Sequence, residues 1–202
     1  MGIVDASYKP DEKSIGGMMI VLTNENMTKA SPLMWKAKQI DRFCHSSKDA
    51  ETLSMMKMID ELVYMATHVE ILLYGDYRKR MDVRILTDSE PTLESIASTK
   101  QIERKGLRMV VQEMKDKLRD GEIDSYQWVS TKSIWADGLT KELSMTEGMR
   151  NLLKERKCDM VSNDINKVIC HNEEIKMLNI RNRKNGRPEK VSKTTTTTTT
   201  TT

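Results

Sequence analysis

Three short β-prone runs stand at the front of the chain, before any helical pattern begins. Gly2–Tyr8, Ser14–Thr23 and Leu33–Ile40 are separated only by polar turn material, KPDEKS and NENMTKAS. Links that short join antiparallel neighbours, because a parallel return needs a crossover of a dozen or more residues. The period then changes. Leu53, Met56, Ile59, Val63 and Ala66 recur at three- or four-residue steps, which predicts an amphipathic helix from about Ser47 to Leu72. Val83–Thr87 reads as a fourth strand, and Pro91–Ala97 as a short helix with Ser89 as its cap and Pro91 tolerated in the first turn. Leu107, Val110, Val111, Met114 and Leu118 form a second helical stripe ended by Gly121. Ile123–Val129 is the fifth strand, and Ser133–Leu139 and Thr146–Lys154 close the pattern as helices. The order βββ-α-β-α-β-α predicts an α/β domain: a five-stranded mixed sheet, a three-strand antiparallel meander plus two further strands, flanked by helices.

Composition supports one such domain with chain to spare. Of 202 residues, 38% are hydrophobic and 31% charged, enough to bury a core in water. No apolar run approaches the roughly 18 residues of a membrane span, and Asp5 follows the start too soon for a secretory leader, so no membrane partner is expected. Three widely spaced cysteines (Cys44, Cys158, Cys170) with no CxxC pair fit reduced intracellular thiols and no zinc site. Sixteen methionines against one phenylalanine read as flexible core filler. From Glu155 to Thr202 there are 10 Lys/Arg and 6 Asp/Glu, which leaves 23 against 24 in residues 1–154. The first part is therefore near neutral, and the basic charge lies in the tail. Residues 1–154 are the expected domain, 155–178 a weakly structured extension with a short helix over Asn172–Ile180, and 179–202 a disordered basic and poly-Thr tail. That tail is either plain solvated chain or an arm laid on phosphates.

Two acids stand where apolar residues are expected. Asp5 interrupts the end of the first strand, and Asp88 follows Arg84–Ile85–Leu86–Thr87. If the fourth strand joins beside the first, their carboxyl ends meet where the strand order reverses, the place where open α/β sheets bind ligands. Two carboxylates there repel unless a cation lies between them, and Mg²⁺ fits by its preference for oxygen. Glu51, near the start of the long helix, is the third candidate. Asp49 has an equal claim on position alone, since either acid suits a helix N-terminus. Asp137, flanked by Trp135 and Ala136, is the fourth.

The strings VDASY, SSKDAE, LTDSE and IWADGLTKE, with PLMWKAKQ ahead of the second, resemble in order and spacing the ribonuclease H domain of the Pol polyprotein of copia-type LTR retrotransposons. The resemblance spans about residues 2–142 and implies a ribonuclease H-like fold. It places the family's catalytic, metal-binding acids on Asp5, Glu51, Asp88 and Asp137, and so selects Glu51 over Asp49. It implies a magnesium-dependent endonuclease, with Mn²⁺ as a substitute, that hydrolyses the RNA strand of RNA–DNA hybrids with two ions about 3.5–4 Å apart. Gly16 and Gly17 are candidate substrate-binding positions that let the backbone approach the minor groove, or else glycines of a bent strand; Ser89 is a further candidate contact. The histidine that many relatives carry before the last acid is missing: that stretch reads SYQWVSTKSIW, and the histidines are His45, His68 and His171. Only four residues precede Asp5, so the resemblance implies a Pol-derived fragment without its reverse transcriptase, the one protein partner expected. The alternative is a catalytically silent retroelement remnant that keeps the fold and binds nucleic acid.

Overall fold

The first three strands, β1 (Gly2–Ser7), β2 (Ile15–Thr23) and β3 (Ala30–Gln39), pair as an antiparallel meander, with Asp5 opposite Gly17 and Met19 opposite Trp35. In this computed structural model the described residues are 1–78, 81–100, 102, 104–131, 134–141, 147–158, 165–170, 178 and 179. The chain continues as α1 (Ser47–Tyr74), β4 (Arg84–Thr87), α2 (Glu90–Ala97), α3 (Lys105–Arg119) and β5 (Ser125–Val129). It then forms α4 (Asp137–Thr140), α5 (Glu147–Glu155), β6 (Ile165–Cys170) and the two-residue β7 (Leu178–Asn179). The sheet order is β3-β2-β1-β4-β5-β6-β7, with β1, β4 and β5 mutually parallel and the remaining neighbours antiparallel.

Period-two alternation divides the core between two faces. Val4, Met18, Ile20, Ile85 and Tyr126 point to one side, where α1, α2 and α3 cover them through Met55, Met58, Ile59, Leu93, Val111 and Met114. Ile3, Met19, Val21, Leu86 and Val129 point to the other, under Trp135, Ala136, Met149 and Leu152 from the α4–α5 region. The buried line of α1 runs through Met55, Met58, Ile59 and Leu62, so the expected stripe is turned: Leu53, Met56 and Val63 flank the contact and do not centre it. Methionines set that line, each fully buried one contributing about 1.5–3 kcal/mol. Gly75 ends α1 at φ 76°, its N–H donating to Ile71 O at 2.9 Å, the left-handed cap that glycine adopts without strain.

The sheet departs from the expected five strands. Among the described residues six strands of four to ten residues are present, and β7 adds two residues beyond them. The sixth comes from the segment expected to be weakly structured: β6 pairs with β5, Ile169 opposite Tyr126 and Cys170 opposite Ser125. Its physical reason is the outer edge of β5, whose N–H and C=O groups need partners, while Ile169 adds a fully buried side chain to the core. Of the short helix expected over 172–180, Leu178–Asn179 is strand and the other residues lie outside those described. The helix expected from Ser133 begins at Asp137, after a turn at Trp135 and Ala136. The tail beyond 179 lies outside the described residues. Among the described residues no helix is long and apolar enough to cross a membrane.

Candidate metal centre

β1 and β4 run parallel, with Gly2 opposite Ile85 and Ile3 opposite Leu86. Two residues further along each strand come Asp5 and Asp88, at the carboxyl ends of neighbours whose other partners, β2 and β5, lie on opposite sides. Within β1 alternation puts Asp5 on the face of Ile3, while Asp88 follows the last residue of β4 in a bend beside it. Glu51 enters from the N-terminal part of α1. One oxygen from each of these three carboxylates lies within 4.8 Å of the other two. Asp5 and Glu51 are only 6% and 8% exposed, and Asp88 is half-buried.

Such a cluster works against itself in the absence of a cation. Burial first, then the charges of Asp5 and Asp88, push the Glu51 carboxyl up to about 9. Its carboxylate accepts from the Ala6 backbone N–H, yet buried Oε2 has no hydrogen-bond partner. Burial also raises Asp5, opposed by the Thr140 hydroxyl donating to its Oδ2 and reinforced by Asp88 and Asp137. Asp88 is raised by burial against a hydrogen bond from Thr131, and the Trp128 indole donates to its backbone oxygen at 2.8 Å. A buried carboxylate oxygen left unpaired among other carboxylates costs on the order of 1–3 kcal/mol or more unless something positive meets it.

Asp137 stands beside this group and not within it. It is half-buried at the start of α4 and ion-paired through Oδ1 to Lys141. Asp49, its rival candidate Glu51's neighbour on α1, has a different task. Its carboxylate accepts from His45 N–H at 2.9 Å, from the Ser46 hydroxyl at 2.9 Å and from Arg104, while Ser46 Oγ accepts from Asp49 N–H at 3.2 Å. That is a helix cap in which Ser46 and Asp49 bond each other, extended to His45 N–H and held by an arginine clamp. Burial pushes Asp49 up, but these bonds outweigh it and hold the carboxyl below the usual range.

The three substrate candidates have structural work of their own. A Cβ on Gly17 would lie 2.6 Å from Thr140 Cγ2 and 3.0 Å from Ala136 O, so this glycine lets α4 sit against β2 opposite Asp5. A Cβ on Gly16 would meet Ser54 Oγ at 2.5 Å on the opposite face; Gly16 also lines a groove of about 270 Å³ with Lys38, Arg42 and Lys57. Both are buried. Ser89 makes no capping bond to α2. Its hydroxyl meets Thr92 Oγ1 at 2.8 Å, Thr92 meets Thr52 Oγ1 at 3.3 Å, and Thr52 donates to Lys48 O at 2.7 Å. Because Thr52 spends its one proton on Lys48, the chain runs Ser89 to Thr92 to Thr52.

Thr140 and Lys141 went unnoticed in the sequence. The signal for Lys141 was its i,i+4 spacing from Asp137; for Thr140 there was none. No family model and no curated protein matches this chain. The chemistry of the cluster is legible without one. Its donors are carboxylate oxygens, which suit a hard divalent cation of the Mg²⁺ or Mn²⁺ kind, and the unpartnered Glu51 Oε2 is the oxygen such an ion would take.

Proposed function

We propose that this chain is a metal-dependent endonuclease of the ribonuclease H type, acting on the RNA strand of RNA–DNA hybrids. The observation that carries the reading is the meeting of Asp5, Glu51 and Asp88 at the strand-order reversal, with the buried Glu51 Oε2 left for a cation. The order of sheet and helices agrees with that reading, as do the four acid-bearing strings VDASY, SSKDAE, LTDSE and IWADGLTKE, from which the hybrid substrate is inferred. Asp5, Glu51 and Asp88 would hold the first Mg²⁺ or Mn²⁺, and Asp137 would supply a carboxylate for the second. Bound there, the ions supply Lewis-acid activation of water and of a phosphate oxygen.

The chain's own groups prepare the place. Thr140 fixes one Asp5 oxygen by donating to it, which leaves the other facing the cluster. Trp128 anchors the Asp88 backbone, and Ala6 N–H orients Glu51. The first 154 residues are near neutral overall, so hybrid affinity would draw on local basic groups such as Lys38, Arg42 and Lys57 and on the basic tail.

The test is cleavage of a labelled hybrid by the purified full chain in Mg²⁺, beside Asp5→Asn and Asp88→Asn. The RNA strand should be cut, and either substitution should lower the rate by roughly a hundredfold or more, as should EDTA. Hybrid binding without cutting, the same in both variants, would replace this reading with that of a silent binding module.

A further inference from the structure

Exposed large hydrophobic side chains are unevenly spread over the described residues. Trp35, Phe43 and Met109 stand singly, each beside a cation in sequence (Lys36, Arg42 and Arg108). The last turns of α1 differ. Tyr64, Ile71, Leu72, Leu73, Tyr74 and, just past the helix, Tyr77 are all exposed, from 45% at Ile71 to 84% at Leu72. From Leu62 to Gly75 the only Asp, Glu, Lys or Arg is Glu70, and it is buried, its Oε1 accepting from Met81 N–H at 2.7 Å. Charge returns at the rim, and there it is paired: Lys36 with Glu61 at 2.9 Å, and Arg78 with Asp76 at 2.7 Å. Tyr64 and His68 are already fixed on each other, with ring centroids 4.1 Å apart and His68 Nδ1 donating to Tyr64 O at 2.8 Å.

We infer that this end of α1 is the contact through which two copies of the chain form a dimer, the two helices crossing antiparallel about a two-fold axis. Area, charge and pattern each select a second copy. The six side chains leave roughly 700–800 Å² in water, more than the largest patch of a typical monomer and near the share that each partner gives to a stable interface. An uncharged centre with a self-paired rim meets an identical surface without repulsion, whereas a strongly acidic or basic partner finds no counter-charge there. Tyrosines and aliphatics without charge are also the composition of an interface core. Tyr64, His68, Ile71 and Leu72 fall on one face of the helix, and in a two-fold crossing centred at His68, Tyr64 of one helix lies beside Leu72 of the other. The chain's own tail is poor cover, since after residue 179 its aliphatic residues are Ile180 and Val191 among basic and threonine residues. About 30 Å of helix separates Leu72 from Glu51. The dimer therefore leaves the candidate metal centre open, and the inference stands apart from the proposed activity.

Sedimentation velocity of the full chain from about 1 to about 200 µM tests it. The wild type should pass from monomer to dimer in that range and form nothing larger, because a closed two-fold contact uses up the patch. Leu72→Glu and Tyr64→Glu should each raise the dissociation constant about a hundredfold, by placing a charge in the apolar contact. Met109→Glu, at a comparably exposed position on α3, should leave it unchanged. Circular dichroism should be the same for all four proteins, since none of these side chains is buried. A wild type that stays monomeric throughout, as it would if the patch serves a different protein, overturns the inference. So does a dimer that survives Leu72→Glu, one that Met109→Glu weakens as much, or growth into larger species.

Discussion

Removing one carboxylate from the centre should make the metal-free protein more stable, and Glu51 is the residue where this is largest. Its carboxyl ionises near 4.5 in an unfolded chain and is pushed up to about 9 in the fold, by burial and then by Asp5 and Asp88. At pH 7 the folded protein therefore keeps a proton that the unfolded chain has released. Stability is full below about 4.5 and falls as pH rises toward 9, at about 1.4 kcal/mol per pH unit. At pH 7 the accumulated loss is about 3 kcal/mol. Glu51→Gln keeps the acceptor for Ala6 N–H and has no charge to lose, so it should be about 3 kcal/mol more stable than wild type at pH 7 in EDTA. Urea unfolding followed by circular dichroism at pH 5.5, 6.5 and 7.5 gives the difference curve. Asp5 and Asp88, also raised, titrate in both proteins, so the difference curve reports Glu51 together with its coupling to these two acids. Mg²⁺ should then stabilise the wild type, by about 2.7 kcal/mol at a hundred times its dissociation constant, and the variant by less. A variant no more stable than wild type at pH 7.5, or two parallel pH curves, would refute the reasoning.

Two further substitutions separate the neighbours of the centre from its members. Asp49→Asn should cost about 1–2 kcal/mol by weakening the cap and the Arg104 clamp, yet leave Mn²⁺ uptake, titrated by loss of the free-ion electron paramagnetic resonance signal, unchanged. Gly17→Ala should cost about 1–3 kcal/mol in urea unfolding and weaken Mn²⁺ uptake, because its methyl group displaces Thr140 and the Ala136 carbonyl and moves α4 away from Asp5.

Much of the architecture was legible because its signals were local. The meander, the two helical stripes and the strands at β4 and β5 each followed from a period bounded by turn residues. β6 escaped because its evidence is not local. INKVIC carries little alternation of its own, and its place is fixed by the open edge of β5. The phase of α1 escaped for another reason. Apolar residues occur nearly all round that helix, so Met55 and Met58 compete with Leu53 and Met56 for the buried line. In the centre, Asp5 and Asp88 stood out as acids at the ends of apolar strands. Glu51 and Asp49 could not be separated by position on the helix; only a motif distinguished them, and the capping bonds of Asp49 give the physical difference. Gly16 and Gly17 read equally as backbone contacts or as glycines of a bent strand, and Ser89 as a candidate contact; the packing of these residues against Ser54, Thr140 and Thr92 has no local signal in the sequence.

The hydroxyl relay of Ser89, Thr92 and Thr52 links two residues each adjacent in sequence to an acid of the centre: Ser89 follows Asp88, and Thr52 follows Glu51. The spacing of those two acids is thereby built from covalent chain and three buried oxygens, and it exists before any ion arrives. If an ion binds there, little rearrangement of these two ligands should be needed, and the ordering cost taken from its affinity should be small. The same stiffness would favour a small ion with a compact oxygen shell over one that demands a wider shell, so a metal held at the proposed centre should be of the magnesium kind before calcium.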